Sequence, residues 1–217
     1  MSLPVTAVVV NYQTPELLEV AVRSFRYYYP DVPLLIVDNG SQDHSRRVIE
    51  QLLTEGEGTT RALWLPENIY HGPAMHRAME TVSTPYVYFF DSDTETRRGG
   101  FLEPMIAALE ADPMAYGAGR VVEVDRRRGF RKPGGMPVLT TPHMLLRRDF
   151  YFRLPPFIHH GLPTIRNFRA AEQAGYRLIS FPIETYVHHL GRGTAARYGY
   201  GLGWRARLEY LLHRLGL

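Results

Sequence analysis

Four short apolar runs separated by helical stripes limit what the first 90 residues can become. Val5–Val10, Pro33–Val37, Ala62–Leu65 and Pro85–Phe90 are each too short for a helix and too uniformly apolar for a strand with one wet face. Between them lie three helical patterns. Thr14-Pro15 opens the first with an N-cap and a proline at the first helical position, and Leu17, Leu18, Ala21, Val22 and Phe25 give it an apolar stripe. Ser41 or Asp43 is placed to cap the second, which runs to about Thr54 before the breaker Gly56-Glu57-Gly58, and His71 to Val82 supplies the third. Strands buried on both faces and joined by helices predict a parallel sheet covered on two sides. In such sheets ligands bind beyond the carboxyl ends of the strands. Asn11, Asp38 and Asp91 all fall there, so one rim collects them.

Downstream, Phe101 to Ala111 reads as a helix, and Tyr116 to Val124 and Val138 to Leu146 as two strands. The connection between them, 125–135, is basic and glycine-rich and reads as a solvated surface loop rather than a nucleic-acid site. Thr164 to Gly175 reads as a helix, Arg177 to Phe181 as a strand, and Glu184 to Val187 as strand-like. The arginine-, tyrosine- and leucine-rich segment 195–217 reads as a C-terminal amphipathic helix, open to ordinary packing, a homodimer contact, a lid or a peripheral membrane contact.

At 217 residues and 45% apolar content the chain is expected to bury one core in one domain: a nucleotide-binding half over about 1–95, an acceptor half over about 96–194, then the tail. No run approaches the ~20 apolar residues of a membrane span, and Met-Ser-Leu-Pro lacks a charged leader, so the expected location is cytoplasmic, at most peripheral to the inner membrane face. The absence of cysteine excludes thiolate metal sites and cysteine nucleophiles. Net charge is +3 and Lys132 is the only lysine.

Asp91-Ser92-Asp93 ends the fourth strand. Strand alternation points its two carboxylates the same way, which suits one hard divalent cation and, through it, a diphosphate. An acidic turn after a core strand is the alternative. Together with Val8-Val-Val-Asn-Tyr-Gln-Thr14, Ile36-Val-Asp-Asn-Gly-Ser41, Glu67-Asn-Ile-Tyr-His-Gly72, Phe89-Phe-Asp-Ser-Asp-Thr94 and Val187-His-His-Leu-Gly-Arg192, this chain resembles the family-2 glycosyltransferases over about residues 4–195, more loosely in its second half.

The resemblance implies a GT-A fold: a Rossmann-like α/β/α sandwich with a mostly parallel sheet and a smaller antiparallel acceptor-side portion. It implies transfer of a sugar from a UDP-, GDP- or dTDP-sugar to an acceptor hydroxyl, with inversion and with Mg2+ or Mn2+. The acceptor would be a glycan or a lipid-linked acceptor, in cell-surface polysaccharide, glycolipid or glycan synthesis. By resemblance Asp93 is the stronger metal ligand and Asp91 lies between metal and ribose, with His188 or its neighbour His189 as a further ligand, His188 being the one chosen. Asp38 is expected on the nucleobase or ribose; Asn11 and Tyr12 flank the base, and Asn68 and Gly72 open a helix towards phosphate.

The family's acidic base motif is missing, since no carboxylate stands between Asp149 and Glu172. His159 or His160 is then the expected base, with Asp149 in reserve. A catalytically silent sugar-nucleotide binding protein of the same fold is the competing reading. Nucleotidyltransfer ranks last because no glycine- and arginine-rich loop follows the first strand.

Overall fold

In a computed structural model, residues 3–125, 131–158 and 163–189 are described. His159 and His160, residues 126–130 of the 125–135 loop and the 195–217 tail lie outside them. The first four strands are β1 (Val5–Asn11), β2 (Leu34–Asn39), β3 (Thr60–Leu65) and β4 (Tyr86–Asp91), with helices α1 (Pro15–Tyr28), α2 (Ser45–Glu55) and α3 (His71–Thr81) between them. After β4 come β5 (Thr94–Thr96), α4 (Leu102–Glu110), β6 (Ala115–Val124), β7 (Met136–Arg147), α5 (Arg148–Tyr151), α6 (Ile165–Gln173), β8 (Arg177–Ser180) and β9 (Val187–His189).

One seven-stranded sheet runs through both halves in the order β3-β2-β1-β4-β7-β6-β8. Its first four strands are parallel, and β7 enters antiparallel against β4, pairing Phe90 with His143 and Tyr86 with Arg147. The side chains of β1 and β4 alternate between two cores. Val5, Ala7, Val9, Tyr86, Tyr88 and Phe90 pack against α1, α2 and α4, whereas Val8, Val10, Val87 and Phe89 pack against α3 and α6. Burial on both faces explains why these strands read as unbroken apolar runs rather than as alternation.

Three local readings needed correction. Strands β1, β2 and β4 each run one or two residues past their apolar runs, so Asn11, Asp38 and Asp91 belong to the strands themselves. Thr14 precedes α1 but makes no capping hydrogen bond; its hydroxyl is taken by the rim. The strand-like reading of Glu184 to Val187 gives way to a 3-10 turn at Ile183–Thr185 followed by β9, because the Thr185 amide and hydroxyl both close on the Pro182 carbonyl. Strand β9 pairs antiparallel with β5, and the carbonyl of Tyr186 accepts from the amides of Arg97 and Arg98. Thr96 is in turn fixed to α1, its amide donating to Ser24 Oγ. That small second sheet carries residues 187–189 back to the end of β4. No helix among the described residues is long and apolar enough to cross a membrane.

Candidate active site

The rim is held by a buried polar network centred on Asn11, which is fully buried at the end of β1. Its Nδ2 donates to Asp38 Oδ1 (3.0 Å) and to Ser41 Oγ (3.2 Å), and its Oδ1 accepts from Thr14 Oγ1 (3.0 Å). Thr14 Oγ1 also lies 3.0 Å from Ser92 Oγ, which links the β1 loop to the Asp-Ser-Asp turn. Asp38 Oδ2 accepts from the Ser41 amide, so both oxygens of that 5%-exposed carboxylate are already engaged. Asp38 therefore ties the β1 and β2 loops together, and only its remaining lone pairs are left for a ligand. One strand outward, Asn39 repeats the device: Nδ2 donates to Asn68 Oδ1 and Oδ1 accepts from the Ile69 amide. Gly40, in the left-handed region at φ +73, lets the β2 turn pass against the backbone of Glu67 and Asn68.

Beside this network, Asp91, Asp93 and His189 bring one ligand atom each to within 4.8 Å of one another. His189 Nε2 is 3.2 Å from Asp93 Oδ1. His188, the residue chosen from sequence, is not in this group: it is the register partner of Glu95, and its neighbour His189 is the one that meets Asp93. His71, the first residue of α3, adds a second imidazole with Nε2 3.7 Å from Asp91 Oδ1. Two carboxylates and an imidazole are hard oxygen and borderline nitrogen donors, a set that fits Mg2+ or Mn2+.

Burial, and then the neighbouring Asp93, push the Asp91 carboxyl up to about 7, with His189 opposing. His189 is raised, first by its hydrogen bond to Asp93. His71 is lowered to about 4 by burial, against the pull of Asp93, so its contact with Asp91 is not an ion pair at neutral pH.

Sequence reasoning passed over His143. It sits on β7 beside Phe90 and is 4% exposed; Tyr88 Oη meets its Nδ1 at 2.6 Å, and its Nε2 has no hydrogen-bond partner among the described residues. Burial, and then the charge of His189, lower it to about 3, with Asp93 opposing. Asp149, the reserve base, is placed elsewhere. Strand β7 runs antiparallel to β4, so its end at Arg147 lies beside Tyr86, about 17 Å along the strand from Asp91. Asp149 follows there, paired with Arg153 at 3.2 Å. Tyr12 is half-buried next to Asn11, Asn68 is exposed with Oδ1 engaged by Asn39 and by the Tyr70 amide, and Gly72 is buried in the first turn of α3.

A parallel sheet extended by an antiparallel strand, with paired aspartates at its rim and a small second sheet beside them, is the arrangement of the GT-A fold. Residues 6–172 match the family model for Glycosyl transferase family 2, and the chain belongs to that family. Among curated proteins it is similar to a teichoic acid poly(glycerol phosphate) polymerase of Staphylococcus epidermidis, with 32% identity over 91 residues, 42% of this chain and 13% of that protein. The mannosyltransferase PcManGT of Pyrobaculum calidifontis, solved with GDP-Man and Mn2+, superposes with a TM-score of 0.74 at 17% identity, covering 99% of this chain and 63% of that one. Glucosyl-3-phosphoglycerate synthase of Mycobacterium tuberculosis, solved with Mn2+, UDP and glucosyl-3-phosphoglycerate, gives 0.62 at 16% identity over 98% of this chain and 80% of that one. At these identities the structural likeness is one of fold. The chain spans about an eighth of the curated relative and less than two thirds of the mannosyltransferase.

Proposed function

We propose that this protein transfers a sugar from a nucleoside diphosphate sugar to an acceptor hydroxyl, with inversion, using Mg2+ or Mn2+ held by Asp91, Asp93 and His189. The convergence of those three side chains on the rim carries the reading. It is supported by solved structures that share the fold and hold Mn2+ with GDP-Man or UDP. The bound ion would supply Lewis-acid stabilisation of the departing diphosphate. Asn11 and Asp38 hold the β1 and β2 loops in the geometry that receives the nucleoside, and Thr14 and Ser92 fix those loops to the ligand turn. His71, neutral at working pH, is placed to donate a hydrogen bond beside Asp91 without adding charge. Asp149 follows the end of β7 that lies beside Tyr86, away from Asp91, and His159 or His160 is the base in this proposal. The acceptor is a glycan or a lipid-linked acceptor, and the setting is the cytoplasmic side of cell-surface polymer or glycolipid synthesis.

Calorimetry with UDP, GDP and dTDP, with and without MnCl2, tests the donor site, and nucleotide release from the matching sugars tests turnover. Metal-dependent binding with turnover lost in His159→Ala or His160→Ala is the expected result. Binding without turnover on any acceptor would instead mark a silent nucleotide-sugar binder. No binding at all would refute both.

A further inference from the structure

His143 holds a ring nitrogen that nothing among the described residues answers. The residue is 4% exposed, Tyr88 Oη meets its Nδ1 at 2.6 Å, and its Nε2 is buried without a hydrogen-bond partner. The fully buried Tyr88 hydroxyl has no second partner among the described residues either, so the pair has two arrangements. If Nδ1–H donates to Tyr88, the tyrosine proton and the Nε2 lone pair both go unanswered. If Tyr88 donates to Nδ1, a single group does, an Nε2–H. The second arrangement strands fewer polar groups and is the cheaper one, though a buried donor left unmade is still a cost to the fold.

The position of the ring gives that N–H a use. Strand β7 breaks register with β6 here: two steps from Gly119 to Val121 are matched by five from Met144 to Leu139, which leaves residues 140–143 without partners on β6, beside the end of β4. His143 pairs instead with Phe90, one residue before Asp91, and so shares the face of the sheet that carries Tyr88, Phe90 and Leu145. Val187 of β9 packs into that same core, and alternation along β9 turns His189 the same way. Burial first, and then the charge of His189, oppose protonation of His143 while Asp93 favours it; a neutral ring therefore stands within electrostatic reach of both side chains.

We propose that His143 is a positioning residue of the ion site, its Nε2–H donating to an oxygen bound to the ion that Asp91, Asp93 and His189 hold. Three protein ligands leave further positions of an octahedral cation to water or to a diphosphate, and either supplies such an oxygen. The proposal rests on the ion reading above. It makes the His143 donor a cost to the empty protein and a benefit to the loaded one, so its removal moves stability and ion affinity apart, which a purely structural histidine would not do.

The test compares the full chain as wild type, His143→Leu/Tyr88→Phe, Tyr88→Phe and His143→Gln. Melting temperature is read by circular dichroism without metal, and Mn2+ affinity by electron paramagnetic resonance, with and without pyrophosphate. The double variant, which removes both polar partners, is expected to melt no lower than the wild type yet to bind Mn2+ roughly tenfold more weakly, the ordinary effect of losing an outer partner of a metal site. Tyr88→Phe keeps Nε2 and keeps the affinity, and so does His143→Gln, whose amide NH2 reaches the place of Nε2. A loss with Mn2+ alone assigns the oxygen to a water, and a loss only in the presence of pyrophosphate assigns it to the diphosphate. Unchanged affinity in the double variant under both conditions overturns the proposal, as does an equal loss in Tyr88→Phe, which marks a packing effect. A double variant that melts below the wild type shows that Nε2 already has a partner and refutes the proposal at its base. A wild type that binds no Mn2+ defeats the ion reading and this proposal with it, an outcome distinct from wild-type binding that the double variant leaves intact.

Discussion

Replacing Gly40 with alanine isolates what the rim requires of the backbone. A Cβ at this position would stand 2.3 Å from the carbonyl carbon of Glu67, 2.5 Å from its Cα and 2.7 Å from the Asn68 nitrogen, all backbone atoms. The loop cannot yield cheaply, because Asn39 holds Asn68 and Ile69 by side-chain hydrogen bonds. Holding alanine at positive φ costs about 1–2 kcal/mol, and overpacking adds about 1–3 kcal/mol, so the total is roughly 2–5 kcal/mol. Gly58 is the control: its φ is +85 but nothing lies within 4 Å of its absent Cβ, so Gly58→Ala carries only the backbone part, about 1–2 kcal/mol. At about 2–4 °C per kcal/mol for a chain of this size, Gly40→Ala should lower the melting temperature by roughly 4–20 °C and Gly58→Ala by roughly 2–8 °C. Thermal and urea unfolding followed by circular dichroism measure both. Equal losses in the two variants would show that the β2 turn does not bear on the 66–70 loop, and the account of the rim would fail.

Metal binding should discriminate between adjacent histidines. Asp93→Ala and His189→Ala are expected to lose Mn2+ affinity tenfold or more, whereas His188→Ala keeps it, as read by Mn2+ electron paramagnetic resonance; the opposite pattern for the two histidines would move the third ligand. Because Asp91 titrates at about 7 and His189 is raised, the ion must displace protons at lower pH. Mn2+ affinity should therefore climb by about tenfold per pH unit for each displaced proton up to neutrality and level off above it, and a flat profile from pH 6 to 8 would contradict the assignment. His143 gives a stability signature of its own. Its folded pKa of about 3 lies below the unfolded 6.5, so between those values the unfolded chain binds the extra proton. The contribution is intact above pH 6.5 and shrinks as pH falls, by up to about 1.4 kcal/mol per unit. Urea unfolding of a His143→Leu/Tyr88→Phe double variant, which removes both polar partners, should lack one proton's worth of that slope; an unchanged slope would mean that His143 is not buried neutral.

The sheet was readable because burial on both faces writes itself into the sequence as unbroken apolar runs, and the helices between them fix the strand direction. The Asp91 and Asp93 pair was readable for the same reason, since polarity that begins where such a run stops marks a strand end. The choice between His188 and His189 was not, because it depends on the register of β9 against β5, and three-residue strands leave no periodicity to count. His143 was hidden because one histidine inside a strand has no pattern; only the pairing of β7 with β4 sets it beside Phe90 and under Tyr88. Asp149 looked usable until the antiparallel entry of β7 carried it to the opposite rim. Asp38 was recognised as a rim residue, but its engagement with Asn11 comes from the end of β1, 27 residues away, and could not be read from its own neighbourhood.

The two-stranded sheet of β5 and β9 also changes what an ion would do to the molecule. Each strand is only three residues long, so their pairing is a weak attachment, of the kind that opens locally without unfolding the main sheet. A cation bridging Asp93 and His189 would cross-link positions 96 residues apart in sequence, the residue just before β5 and the last residue of β9. Loading the site and docking the 187–189 segment then become one equilibrium, in which each favours the other by the same factor. The metal would be a structural clasp between the late part of the chain and the early one, and its departure would loosen the segment that carries His189.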